Sequence, residues 1–249
     1  MSGKLFEDLT DVYEALVDWP RRLAREEPFY RHWFERCHVR RVLDTACGTG
    51  QHAAMFHRWG LAVEGADVSA AMIERARSRY GEPHGLQWAV RSFDHPGSTN
   101  ELFDAAICTG NSLALASDRP TVQRALQQML DAVRPGGLVV VHLLNLWRLP
   151  DGPCVWQKCQ RIHLPPREVL VLKGVHRSGR QGFVDLVVAD LAAAPEMEAE
   201  SVPLLGLEAD ELEQMVRAAG ASRGEFFGGY QDEPYDRQTS VDLILVARK

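Results

Sequence analysis

Leu5, Leu9, Val12 and Leu16 recur at helical spacing, with Phe6, Tyr13 and Val17 widening the stripe, and predict an amphipathic helix that ends before Pro20. A second helix is expected to open at Pro28, a residue suited to a first helical turn, and to carry Phe29, Trp33 and Phe34. The two make an N-terminal helical cover over residues 1–38. From residue 41 to 144 the pattern changes to short apolar runs alternating with helical stretches, as in βαβ units around a parallel sheet. Strands are expected at 42–44, 61–67, 86–90, 103–108 and 138–144, with helices at 51–59, 70–80 and 120–133. Ser69 is placed to cap the second of these helices and Gly81 to end it. Arg134-Pro135-Gly136-Gly137 has Pro and Gly where a type II turn needs them.

Beyond Asn145 the runs become β-branched and are separated by turn residues. They predict antiparallel strands at 155–163, 169–176, 183–190 and 197–204, with a turn at 178–182 and an exposed loop from Ala192 to Pro195 that runs on into Glu-rich sequence. A helix at 208–219 and strands at 226–227 and 241–247 follow. The insertion, residues 147–205, is long enough to require a purpose. No internal repeat is visible.

The length of 249 residues suits one domain carrying this local addition. A net charge of −6 argues against a protein that lives on nucleic acid phosphates, and Pro20-Arg21-Arg22 and Val39-Arg40-Arg41 are too short to alter that. No apolar stretch approaches the roughly 20 residues that span a bilayer, and the first residues lack a signal-peptide core, so no membrane partner and a cytoplasmic location are expected. The cysteines, Cys37, Cys47, Cys108, Cys154 and Cys159, are an odd set without a Cys-x-x-Cys pair and read as reduced thiols. Cys154, Cys159 and His163 fit no zinc spacing, and no metal is expected.

The chemistry concentrates after the first strand. Gly48 and Gly50 form a Gly-x-Gly turn that lets backbone approach a ligand closely. Asp67, at the tip of the next strand, is placed to accept both hydroxyls of a ribose. These features serve any adenosine-containing cofactor, and Gly48-Thr49-Gly50-Gln51-His52-Ala53 also satisfies a dinucleotide fingerprint. Three features favour S-adenosylmethionine (SAM). Asp44 would repel a pyrophosphate and attract an ammonium. Asp94 follows the third strand where an adenine amino group needs an acceptor. The chain closes on a hairpin-like pair rather than a second mononucleotide-binding half.

In Leu43-Asp44-Thr45-Ala46-Cys47-Gly48-Thr49-Gly50, Gly65-Ala66-Asp67-Val68-Ser69 and Arg134-Pro135-Gly136-Gly137 the chain resembles the class I SAM-dependent methyltransferases across most of its length. The resemblance implies a doubly wound, Rossmann-like α/β fold whose seven-stranded, mostly parallel sheet has an antiparallel last strand. It implies SAM held by Asp44, Gly48, Gly50, Asp67, Met72 and Asp94 with Phe93 beside the adenine, and Ala46, Val68 and Cys108 belong to the same set. Cys108-Thr109-Gly110-Asn111-Ser112 resembles the glycine N-methyltransferase-like branch, which would bring Asn111 and Ser112 beside the sulfonium. The reaction implied is in-line attack of a small-molecule heteroatom, an amine among the candidates, on the methyl group, with S-adenosylhomocysteine leaving. His142, Asn145 and Tyr230 are the candidates for touching that acceptor.

Plainer roles compete. Met72 reads equally as a packing residue, Asp94 as turn chemistry, His142 as a structural histidine, and Tyr13, Tyr30 and Trp33 as core rather than a lid. The insertion is expected to shape the acceptor pocket, the competing role being a homodimer interface. A SAM-binding regulatory subunit without transferase activity and a nucleotide-dependent oxidoreductase are the other functional classes open at this point.

Overall fold

The computed structural model describes residues 10–97, 101–164, 167–191 and 197–249. Helices α1 (Thr10–Leu16) and α2 (Trp19–Arg36) precede β1 (Arg41–Asp44), α3 (Gln51–Arg58), β2 (Ala62–Asp67), α4 (Ala70–Tyr80) and β3 (Leu86–Val90). Strand β4 (Phe103–Cys108), α5 (Arg119–Ala132) and β5 (Val133–Leu144) complete the parallel part. The insertion supplies β6 (Val155–Leu164), β7 (Arg167–Ser178), β8 (Gln181–Asp190) and β9 (Met197–Leu205), and the chain ends in α6 (Ala209–Ala218), β10 (Arg223–Phe227) and β11 (Asp242–Arg248).

The main sheet has seven strands in the order β10-β11-β5-β4-β1-β2-β3. Strands β1 to β5 run parallel, and β11 lies antiparallel between β5 and β10. The order reverses between β1 and β4, and at such a switch point the chain ends diverge and leave a crevice outside the strands' carboxyl ends. Asp44, the last residue of β1, stands there. Strands β4, β5 and β11 are apolar on both faces because helices cover both, with α5 and α6 on one side and α2, α3 and α4 on the other.

The insertion is a separate antiparallel sheet in the order β6-β7-β8-β9. It is anchored twice. Ile162, Val169, Val171, Leu186 and Val188 pack on Val12 and Leu16 of α1, while Val175 and Leu204 join the core around Leu146 and Leu149. Among the described residues no helix is long and apolar enough to cross a membrane.

Two boundaries differ from expectation. Helix α2 begins at Trp19, capped by Asp18, whose carboxylate accepts the Arg21 amide at 3.2 Å, and Pro28 lies inside it. The lost amide bond at Pro28 is outweighed by the buried Phe29, Tyr30, Trp33 and Phe34 that follow. Strand β5 starts at Val133 rather than after the glycines, with a register shift opposite Phe103 and Ala105 absorbing the Pro135-Gly136 kink, where Gly136 has φ +76°. Residues 5–9 of the first expected helix and 192–196 of the expected loop lie outside the described residues.

Candidate active site

The turn after β1 is held from both sides. Thr45 donates its amide and its hydroxyl to the Ile107 carbonyl on β4, and the Cys47 amide bonds Ala66 on β2. Gly48 has φ +53°, and a Cβ there would meet nothing within 4 Å, so its face is open to the crevice. Gly50 serves another purpose. A Cβ there would stand 2.6 Å from the Trp88 ring, as would one on Gly65. Trp88, fixed by its indole N–H on the Gly81 carbonyl, therefore dictates glycine at both positions.

Asp67 accepts the amides of Gly48 and Ser69, each at 2.9 Å, and burial holds its pKa above the usual carboxylate range despite those bonds. Asp44 is fully buried with neither carboxylate oxygen hydrogen-bonded. Burial, with added repulsion from Asp67, pushes its pKa up to about 8. A buried polar group without a partner is rare enough to need an explanation. Two carboxylates that repel one another in a dry crevice fit a ligand with positive charge near Asp44 and hydroxyls near Asp67.

Helix α2 lays a polar stripe over this crevice that the sequence reading missed. Arg22 bonds Glu26 at 2.8 Å, and Glu26 bonds His52 of α3 at 2.6 Å, with Glu26 and His52 both buried. A Cβ on Gly110, at the end of β4, would lie 3.9 Å from the Arg22 guanidinium. One turn beyond Glu26, the Tyr30 ring lies 5.9 Å from that of Tyr230, and Tyr230 lies 5.4 Å from the His142 ring. His142 Nε2 lies 3.2 Å from an Asp242 carboxylate oxygen, the Tyr30 and Tyr230 hydroxyls face one another, and burial drives both tyrosine pKa values well up. Had α2 been started at its Asp18 cap, the i, i+4 series Arg22, Glu26, Tyr30 would have been visible as one face.

The other expected site residues fall into two groups. Val68 projects beside Asp67 with 66% of its surface exposed, and half-buried Met72 donates its amide to the Ser69 cap at 3.3 Å. Phe93 lines a small pocket with Leu43, Thr45, Ser92 and Met129, and half-buried Ala46 packs beside it on the same core. These four border the crevice.

The side chains of Asn111, Ser112, Asp94 and Asn145 are already engaged. Asn111, in a left-handed conformation at φ +74°, accepts the Leu144 amide at 3.1 Å, and Ser112 donates to the Thr109 carbonyl at 2.8 Å. Asp94 is held by Ser92 at 2.5 Å, His95 at 3.2 Å and Arg124 at 3.4 Å. Asn145, expected at the acceptor, instead donates to the Arg237 and Ser240 carbonyls and accepts from Trp147 and Tyr235. That pattern pins the β10–β11 connection and leaves the side chain no free hydrogen-bonding position. Cys108 is buried against Thr45, its thiol pKa pushed up to about 12 by burial, which suits packing rather than ionisation.

The cysteines are free. Cys154 clusters with His176 and Asp185, not with Cys159 and His163, and Asp185 accepts from Cys154, His176 and Ser201.

A doubly wound sheet with an antiparallel strand beside β5, an open glycine turn at the switch point and acidic tips on β1 and β2 makes a crevice suited to a nucleoside cofactor. Residues 42–137 match the family model described as methyltransferase domain. The chain is 30% identical over 152 residues to a glycine/sarcosine N-methyltransferase of Parasynechococcus marenigrum, covering 59% of this chain and 52% of that one. It is 33% identical over 141 residues to the glycine N-methyltransferase of Rattus norvegicus, covering 49% and 47%. The chain thus spans about half the length of these curated relatives. In fold it is similar to the SAM-bound amino pentose methyltransferase of Micromonospora echinaspora, with a TM-score of 0.72 at 21% identity over 100% of this chain and 98% of that one.

Proposed function

We propose that the protein transfers a methyl group from SAM to an amine on a small molecule, releasing S-adenosylhomocysteine. The observation that carries the reading is the pair of unpartnered, buried Asp44 oxygens beside Asp67, which suits a cationic ligand and opposes a pyrophosphate. The relatives, glycine and glycine/sarcosine N-methyltransferases, and the amino pentose methyltransferase of similar fold support an amine acceptor. SAM, when bound, supplies a methyl group already activated on a sulfonium.

The chain's task is to bind, align and dry. Asp44 receives the methionine ammonium, Gly48 the approach of the ligand, and Asp67 the ribose hydroxyls. Val68 and Phe93 border the adenine, with Met72 at the rim. Ala46, Gly50, Asp94, Cys108, Asn111 and Ser112 build the surrounding frame. Alignment of an amine lone pair on the carbon–sulfur axis and exclusion of water by Tyr30 and Tyr230 account for the rate enhancement asked of the protein. An amine must arrive unprotonated; burial beside Tyr230 favours the neutral form, against the Asp242 carboxylate behind His142. The four-stranded insertion shapes the far side of the acceptor pocket.

The test pairs two measurements. Calorimetry should show SAM binding and no NAD binding. Transfer of labelled methyl across a panel of small amines, with product masses recorded, should show one methyl added at nitrogen. Binding without turnover on any acceptor would turn the reading to a SAM-binding subunit.

A further inference from the structure

The inner face of the insertion carries a cation where its pattern asks for an apolar residue. Along β7, Val169, Val171 and Val175 point into the core and are at most 2% exposed, and Lys173 occupies the same face between Val171 and Val175. Its neighbour across β8 is Leu186, itself 2% exposed. Its neighbour across β6 is Lys158. Like charges directly opposite on adjacent strands destabilise a sheet, so this pairing needs a reason.

Lys158 has a task. Its ammonium bonds the Leu16 carbonyl at the end of α1, and so closes the corner between α1 and the insertion. Lys173 has none: among the described residues it has no carboxylate or hydrogen-bond partner. From α2 the charge of Arg22, itself bonded to Glu26, acts on Lys173. Burial, then Lys158 and Arg22, push the Lys173 pKa down. Lys173 and Lys158 thus lie opposite one another where the insertion meets α1, with the charge of Arg22 adding to theirs. Lys173 is half-buried on an otherwise apolar face, where a charge is ordinarily paired, and the missing member here is an anion.

We infer that Lys173, flanked by Lys158 and Arg22, is the anchor for an anionic oxygen group, a carboxylate or phosphate, carried by the methyl acceptor. This deepens the reading above and rests on it for the word acceptor. The acceptor is then an amine with an acidic group a few bonds away, drawn to the insertion side while its nitrogen points to the methyl.

The test uses the full chain, with and without S-adenosylhomocysteine, titrated with acetate and with inorganic phosphate against chloride as control. One of the two should raise the melting temperature saturably, and which one does so identifies the group. Lys173→Met should abolish that rise while melting higher than the wild type without anion, because a half-buried, unpaired cation on an apolar face is gone. Lys173→Arg should restore it in part. SAM affinity should change less than twofold in both variants. In transfer assays sarcosine or O-phosphoethanolamine should exceed ethanolamine at least tenfold in kcat/KM, and Lys173→Met should remove the preference. Absence of a saturable anion effect in the wild type, its survival in Lys173→Met, or a loss of SAM affinity in that variant would each overturn the assignment. The anion titration requires no methyl transfer, so its failure is distinct from failure of the proposed activity.

Discussion

At the scale of single residues, Asp44 sets the pH behaviour. Its pKa is raised from 3.8 to about 8 by burial, with Asp67 adding repulsion. A carboxyl whose pKa is higher folded than unfolded costs stability wherever the unfolded chain would ionise it. The ligand-free protein should therefore lose stability as pH rises from about 4 to about 8, with no penalty below about 4. Asp44→Asn should melt above the wild type near pH 8 and converge with it in acid, as thermal melts across that range will show. A cationic ligand draws the proton off, so SAM affinity should climb with pH up to about 8, by as much as about tenfold per unit for one linked proton. In Asp44→Asn the titration should be flat and weak. Asp67 acts differently. Asp67→Ala should weaken SAM by about 10- to 100-fold, the worth of hydrogen bonds to a charged group, read by calorimetry. The two glycines separate in the same way. Gly48→Ala should fold with a loss of about 1–2 kcal/mol for its left-handed backbone yet lose SAM affinity, since its Cβ enters open crevice. Gly50→Ala meets the Trp88 ring as well, and should lose about 3 kcal/mol or more in denaturant melts.

At the scale of elements, what the sequence made legible was what is local. Strands β3 and β4 and helix α4 stand where their patterns and caps put them: β4 is buried on both faces and reads as a continuous apolar stretch, the edge strand β3 buries Leu86 and Trp88 in alternation, and Ser69 and Gly81 mark the helix ends. The insertion strands are legible from alternation. Helix α2 starts nine residues before Pro28, which favours a first turn by its chemistry, because Asp18 with Pro20 forms the cap and Pro28 is accommodated inside the helix. The polar stripe of α2 went unseen for the same reason. Asp44, Gly48 and Asp67 are close in sequence and legible there; Tyr230 is legible as a candidate, but its meeting with Tyr30 and His142, like that of His52 with Glu26, exists only through the fold. The stripe carries its own prediction. Burial opposes the ionised form of Glu26, but the His52 hydrogen bond and the Arg22 charge outweigh it and hold the pKa at about 2. Burial keeps His52 itself neutral, its pKa lowered. A depressed carboxylate contributes stability above its unfolded pKa and loses it as pH falls, here between about 4.5 and about 2. Glu26→Ala should cost about 3–5 kcal/mol at neutral pH, the penalty for stranding buried partners, and the difference from wild type should shrink as acid titrates the carboxylate. Chemical denaturation at pH 7 and pH 3 compares the two.

At the scale of the whole molecule, the helical cover is both roof and core. Phe29, Tyr30, Trp33 and Phe34 of α2 are each no more than 4% exposed, packed with Phe56, Phe227 and Tyr230 in the cluster on one face of the main sheet. Helix α1 reaches in two directions, its Glu14 paired with Arg79 of α4 and its Leu16 carbonyl held by Lys158 of the insertion. Cofactor turn, cover and insertion are therefore one mechanical unit, and a lid that swings free of the sheet is incompatible with it. Four buried aromatic side chains at about 2 kcal/mol each amount to roughly 8 kcal/mol, within the range of an entire domain's stability. Deleting residues 1–38 should accordingly yield an insoluble or unfolded chain, without cooperative melting by circular dichroism, rather than an open methyltransferase with a weakened acceptor site. A soluble, cooperatively melting truncation that still binds SAM would show that the cover is an accessory. The same unity makes SAM binding a property of the whole assembly: ligand at Asp44 should slow amide exchange in α2 and at the Lys158 corner together, through Arg22, and not only in the glycine turn.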